Sequence, residues 1–229
     1  MGVRGHSRFF IMRANPFGDF NTFILGNSGD QNVLGPYKYL TVALYLALLI
    51  VGIAVAVMAW RRDPAQRTVK HISIFAMRVA AAGMWYQASL WKLPWPVSGG
   101  FRFWLQASAK YSAFQFHSDL MTLWFVPNIA IVQPLVYLLE VFFAASLMLG
   151  FAVRLSGMLA VLFTLNLWVG LYNDPTEWAW TYIGIVMAHG MFVVAEAGRS
   201  LGLDQLLRNG LGRFRLSGGV VSQAYRLAS

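Results

Sequence analysis

The chain has 229 residues, 58% of them hydrophobic and only 12% charged, with no cysteine and a formal net charge of +9. That charged share is about half the roughly 25% of a soluble domain, so the chain reads as an integral membrane protein, with room at about 20 residues per span for five or six helices and no separate soluble domain. The absence of thiols excludes disulfides, Cys-ligated iron–sulfur clusters, thiol redox chemistry and a zinc ribbon, and the basic residues flank apolar runs, which makes them topology signals and anionic-lipid contacts rather than nucleic-acid ligands.

Residues 1–36 carry Arg4, Arg8 and Arg13, then a Gly- and Asn-rich run with isolated aromatic residues at Phe9, Phe10, Phe17, Phe20 and Phe23. Turn chemistry without a core of its own predicts an extended arm, which either lies on a partner or folds back over the bundle. No cleavable signal peptide is expected here. Five transmembrane helices are expected next, at 39–60, 72–93, 129–150, 154–173 and 177–197. The first is almost featureless and is followed at once by Arg61, Arg62, Arg67 and Lys70, which marks that loop as cytoplasmic. The short Arg154 turn and the basic tail with Arg199, Arg208, Arg213, Arg215 and Arg226 fall on the same side. The acidic turn at 173–177 falls on the other, so the N-terminus is expected outside and the C-terminus inside.

Between the second and third spans, Pro94 and Pro96 break the helix, and Arg102, Gln106 and Lys110 then recur every fourth residue. That spacing predicts a helix near 101–116 lying in the membrane interface with one basic face. It serves either as an anchoring belt or as a lid over a cavity, where Trp95, Trp104 and Trp124 would meet a ring-shaped lipid.

The apolar stretch Leu135–Gly157 holds one carboxylate, Glu140. A carboxylate in lipid costs about 2.5 kcal/mol or more and calls for a partner. Counted from the inner span ends, Arg78, Glu140 and His189 lie at about 9, 15 and 12 Å. Those depths predict a buried Arg78–Glu140 pair extended by Asn166 or His189. At the outer ends Lys92, His117, Asp119, Asp174 and Glu177 gather among tryptophans. They form either an ordinary aromatic belt or a quinone headgroup site, which needs an apolar slot, a proton donor and a cation or His. No phosphate loop, zinc-protease helix or nucleophile elbow is present, and no metal site is expected. The separation in depth of His71 and His189 argues against paired haem ligation.

Three motifs resemble the DoxX family of integral membrane proteins, which includes the DoxD small subunit of thiosulfate:quinone oxidoreductase. They are Arg78 with Gly83 and Trp91–Lys92; Glu140 followed by LMLG, ending at Gly150, and by Arg154; and AEAGRSLGLDQLL, with Gly198, Arg199, Leu203 and Asp204. The resemblance covers about 72–207. It implies an all-α, polytopic bundle with a four-helix core, in the cytoplasmic membrane of a bacterium or archaeon, linked in some members to electron transfer into the quinone pool. The chain then divides into an arm at 1–36, an extra transmembrane helix at 37–62, the core at 72–207 and a basic cytoplasmic tail at 208–229. The resemblance implies a membrane subunit of a quinone- or electron-transfer-linked assembly, similar to a thiosulfate:quinone oxidoreductase subunit if enzymatic, with no redox centre of its own. Quinone and lipid are then its ligands. The competing expectation is a purely structural accessory subunit of a respiratory or photosynthetic complex, docked through the arm and the first helix.

Overall fold

The computed structural model describes residues 15–93, 97–211, 225, 228 and 229, and within them the chain is helical, with no strand. The expectations placed on Arg4, Arg8, Phe9, Phe10, Arg13, Pro94, Trp95, Pro96, Arg213, Arg215 and Arg226 lie outside the described residues.

The first helix, α1 (Pro16–Ile24), starts where the Asn15 side chain accepts from the Gly18 amide and Pro16 occupies the first turn. A second, α2 (Gly29–Asn32), opens on a Ser28–Gln31 capping box. Over 16–32 the expected extended arm is therefore helical, and it folds back on the bundle. Phe23 sets its ring edge-on to Tyr45 and Tyr86, with centroids 5.0 and 6.3 Å away. Asp30 accepts from Gln87 Nε2 at 2.6 Å. Burying one Phe is worth about 1.5–3 kcal/mol, enough to hold a short segment that lacks a core of its own.

The bundle follows as α3 (Lys38–Arg62), α4 (Val69–Leu90), α5 (Gly99–Lys110), α6 (Gln115–Leu120), α7 (Ile129–Leu149), α8 (Val153–Gly170), α9 (Trp180–Val194) and α10 (Leu203–Leu211). A π-helical turn over Met121–Phe125 continues α6. Among the described residues, three helical stretches are long and apolar enough to cross a membrane: Gly35–Arg62, Ile129–Leu149 and Val153–Gly170. Of the two other expected spans, α4 has the length at 22 residues, but Lys70, His71 and Arg78 dilute its hydropathy. The other, α9, is strongly apolar, but its 15 residues reach only about 22 Å against a ~30 Å layer. In α5 the Arg102, Gln106 and Lys110 side chains are all exposed, on the one face that their spacing requires.

Helix α4 packs on α7, α8 on α9, and α3 on α7. The core between them is aromatic: Trp85, Phe143, Phe163, His189 and Phe192 meet ring to ring. Close approach sets where α3 can lie, because a Cβ on Gly52 would stand 2.7 Å from the Met148 carbonyl oxygen. The α7–α8 hairpin turns at Gly150, whose φ of +67° suits glycine, and a Cβ there would run into the Arg78 guanidinium and the Cα of Gly202.

Candidate functional site

Two hydrogen bonds fix the antiparallel register of α4 and α7. Arg78 Nη1 donates to the Leu147 carbonyl at 2.9 Å, and Gln133 Nε2 donates to the Lys92 carbonyl at 2.6 Å. The same number of residues separates 78 from 92 as separates 133 from 147. Glu140 therefore stands opposite Trp85, about 10 Å along the axis from each of the two cations. What chooses between them is side-chain direction. Helical side chains lean toward the N-terminus of their helix. Arg78 leans toward the start of α4, Lys92, in the turn just past Leu90, folds back in the same direction onto the Ala88 carbonyl, and Glu140 of antiparallel α7 leans the other way, so Lys92 reaches toward Glu140 and Arg78 reaches away.

The expected Arg78–Glu140 pair is therefore not formed. Lys92 Nζ lies 2.7 Å from Glu140 Oε2, donates back to the Ala88 carbonyl at 2.8 Å, and sits 3.7 Å from the centroid of the Trp91 ring. Both members of this ion pair are buried, Lys92 being 2% and Glu140 4% exposed.

The pair lines a cavity of about 460 Å³ between α4, α5, α7, α8 and α9. Its walls are apolar, with Phe101 and Trp104 from α5, Phe125 from the π-turn, Leu139 from α7 and Phe163 from α8. Polar groups enter at few points. Asn166 lines one side, and Tyr182, whose hydroxyl donates to Glu177 at 2.9 Å, lines another. An ammonium and a carboxylate in contact sum to no net charge. The slot therefore suits a neutral ring bearing oxygen acceptors or hydroxyls, which Lys92 can donate to and Glu140 can accept from.

The opposite end of the bundle, where α10 packs, holds a second buried charge cluster. Arg78 is fully buried and donates from Nη2 to the Ser200 carbonyl at 2.9 Å as well as from Nη1 to Leu147. Asp204 closes the α7–α8 turn: its carboxylate accepts from the amides of Ala152 at 2.8 Å and Val153 at 3.3 Å, and from the Tyr225 hydroxyl at 2.7 Å. Burial raises the Asp204 carboxyl above its ordinary range, against the opposing hydrogen bonds from Tyr225, Ala152 and Val153. Gln66 accepts from the Leu201 amide, and Ser200 Oγ meets His71 Nδ1. Glu196 pairs with Arg154 at 3.5 Å and with Arg199.

The four residues expected as one network thus separate, each to its own partners. Arg78 joins the α10-end cluster, and Glu140 joins Lys92. His189 lies in the aromatic core, its Nε2 accepting from Trp85 Nε1 at 2.8 Å and its Nδ1 donating to the Ile185 carbonyl at 2.9 Å. Both ring nitrogens are committed, which makes His189 a packing residue. Asn166 instead meets His117, whose Nε2 is 3.0 Å from Asn166 Oδ1 and whose Nδ1 is 2.9 Å from Ser112 Oγ.

Of the expected quinone contacts, Lys92 and Trp104 line the cavity, and His117 stands behind Asn166 rather than on the wall. Trp124 points away from the cavity and is 67% exposed, and Trp95 lies outside the described residues. Among the motif glycines, Gly150 and Gly198 sit in the α10-end cluster with Asp204, and Gly83 faces the Tyr45 hydroxyl between α3 and α4.

Gln133 escaped the sequence reading. It is fully buried, donates to Lys92 and accepts from the Ser98 amide at 2.9 Å, tying α7 to the starts of α5 and of the cavity. A lone amide in the apolar run IAIVQPLVYLLE was the signal available. Searches with this chain found no matching family model, no matching curated protein and no matching solved structure.

Proposed function

We propose that this chain is a membrane subunit of a quinone- or electron-transfer-linked assembly, holds no redox centre of its own, and receives a quinone headgroup in the cavity closed by Lys92 and Glu140. The observation that carries this reading is the charge-neutral ion pair buried at an apolar slot of about 460 Å³, a volume within the usual range for a small-ligand site. In it Lys92 donates to a carbonyl oxygen and stabilises charge developing there, while Glu140 accepts a proton from a hydroxyl.

In this reading α3, α4, α7, α8 and α9 are the five spans, the α1/α2 end faces outward and the α10 end faces the cytoplasm of a bacterium or archaeon. The exposed Arg61, Arg62, Arg67 and Lys70 support that orientation. A DoxX-type core of α4, α7, α8 and α9 is supported by the convergence of Arg78, Gly150, Gly198 and Asp204, residues far apart in the chain, on one cluster. A second reading, a structural accessory subunit, is favoured by the exposed apolar side of α3 at Leu44, Ile50, Val51 and Ile53, which suits a neighbouring membrane helix as well as lipid.

Purification in mild detergent, with extraction of bound quinone and identification of co-purifying chains, tests both. Quinone that is retained by the native chain and lost on Lys92→Ala supports the headgroup site. A stable complex with other chains and no quinone supports the accessory reading, and an isolated monomer with neither would overturn both. Thiol labelling of Ser28→Cys and Ser217→Cys in this cysteine-free chain tests the topology, since labelling of both from one side is incompatible with five spans.

A further inference from the structure

The cavity wall is not equally deep all round. Of the residues lining it, Leu135 alone is exposed, at 60%, while the others are buried or half-buried. Leu135 does not face the water-side loops. On α7 it continues a stripe formed with Ile131 and Leu138, which are 63% and 56% exposed, in a helix apolar enough to cross a membrane. With α7 as one of the proposed spans, that exposed apolar stripe is the side it turns to the hydrocarbon.

Two departures from regular helix flank the same spot. Pro134, next to Leu135, lies inside α7 and removes one backbone hydrogen bond from the turn there. Across the gap, the π-helical turn Met121–Phe125 sends Met121 and Phe125 to the cavity wall, and π-turns within helices concentrate at functional sites. Behind the gap, Gln133 holds α7 to Lys92 and Ser98, so the opening lies beside a pinned point of the wall.

The geometry points to a lateral portal between the α7 stripe at Leu135 and the π-turn at Phe125, through which the cavity takes a long-tailed amphiphile directly from the bilayer. Its head meets Lys92 and Glu140, and its apolar tail passes Leu135 into the hydrocarbon. The inference deepens the headgroup reading and rests on it for the identity of the head. It adds the class of the tail and the route by which a tailed ligand enters.

Because the chain has no cysteine, the portal can be blocked in the folded protein. Leu135→Cys, and the control Leu162→Cys on α8, 64% exposed and away from the cavity, are reconstituted in phosphatidylcholine nanodiscs and capped with a bulky apolar maleimide. Binding is then measured for a benzoquinone headgroup with a decyl tail and for the same headgroup without one. Capping position 135 should weaken the tailed quinone by about tenfold or more, leave the bare headgroup within about twofold, and capping position 162 should change neither. Equal affinity of the tailed quinone for both capped proteins would overturn the portal.

If neither quinone binds the uncapped proteins, the headgroup reading fails and the portal is read by tryptophan fluorescence in phosphatidylcholine brominated on its acyl chains. The part of the quenching that Trp104→Phe removes, over a background from exposed tryptophans such as Trp124, should fall on capping position 135 but not 162, and that result keeps the portal with a lipid chain as its occupant. Quenching indifferent to the cap would overturn it.

Discussion

Arg78 in α4 and Lys92 in the turn that ends it are both buried, and each is held by a partner on α7, yet their surroundings are opposite. Around Arg78 the chain has closed completely: carbonyls of Leu147 and Ser200 take its guanidinium, Asp204 lies within electrostatic reach, and Gly150 and Gly202 leave no room for even a methyl group. Around Lys92 the ion pair with Glu140 borders open volume walled by aromatic side chains. A buried charge satisfied by backbone carbonyls can do little except hold helices in place. One that borders a cavity can exchange partners with a ligand. The difference separates a structural lock from a candidate site more sharply than residue type or depth does.

That contrast yields a graded set of tests. The largest loss is expected at the lock. Arg78→Gln leaves the buried Leu147 and Ser200 carbonyls without their donor, at about 1–3 kcal/mol each, and should cost about 3–5 kcal/mol in all, read as a collapse of the thermal midpoint in detergent, with no rescue by changing Glu140. Rescue by Glu140→Gln would mean that the two charges are coupled after all.

At the cavity, Lys92→Met or Glu140→Leu alone should cost roughly 2–3 kcal/mol, and the double variant should recover most of it, since removing both charges leaves neither unpaired. Recovery of stability must come with loss of quinone binding. Strictly additive losses would deny the pair, and retained binding would deny its role.

A smaller effect is expected at Asp204. Its carboxyl is raised by burial, so the folded state keeps the proton to higher pH than the unfolded chain. The stabilisation from that proton is full below the unfolded carboxylate range near 3.9 and fades as pH rises through the raised folded value. Asp204→Asn, which keeps one acceptor and cannot titrate, should be about 1–2 kcal/mol less stable in acid, with the gap narrowing toward neutral pH. A gap that stays constant from pH 4 to 8 would contradict this assignment. The smallest effect is at the rim, where Tyr182→Phe removes one hydrogen bond to Glu177 and should cost about 1 kcal/mol or less while leaving the lock untouched.

Composition and period determined a good deal here. The membrane class, the helical stretches near 39–60, 129–150 and 154–173, the amphipathic α5 and the short turn before Arg154 all follow from local hydropathy and spacing, which act within a few turns of helix. The lone Glu140 was legible as a charge needing a partner. The identity of that partner was not. Depth counting favours Arg78 and leaves Lys92 at the outer end of its span, whereas the register set by Gln133 and by the Leu147 carbonyl puts the two equally far from Glu140 and leaves the choice to side-chain tilt on antiparallel helices. Backbone carbonyls are present at every residue and leave no mark in the sequence, so the commitment of Arg78 to the α10 end had no signature there. The fold-back of α1 and α2, the withdrawal of His117 behind Asn166 and the exposure of Leu135 at the cavity wall are likewise decided by packing between distant segments, because each depends on which surfaces close and which remain open.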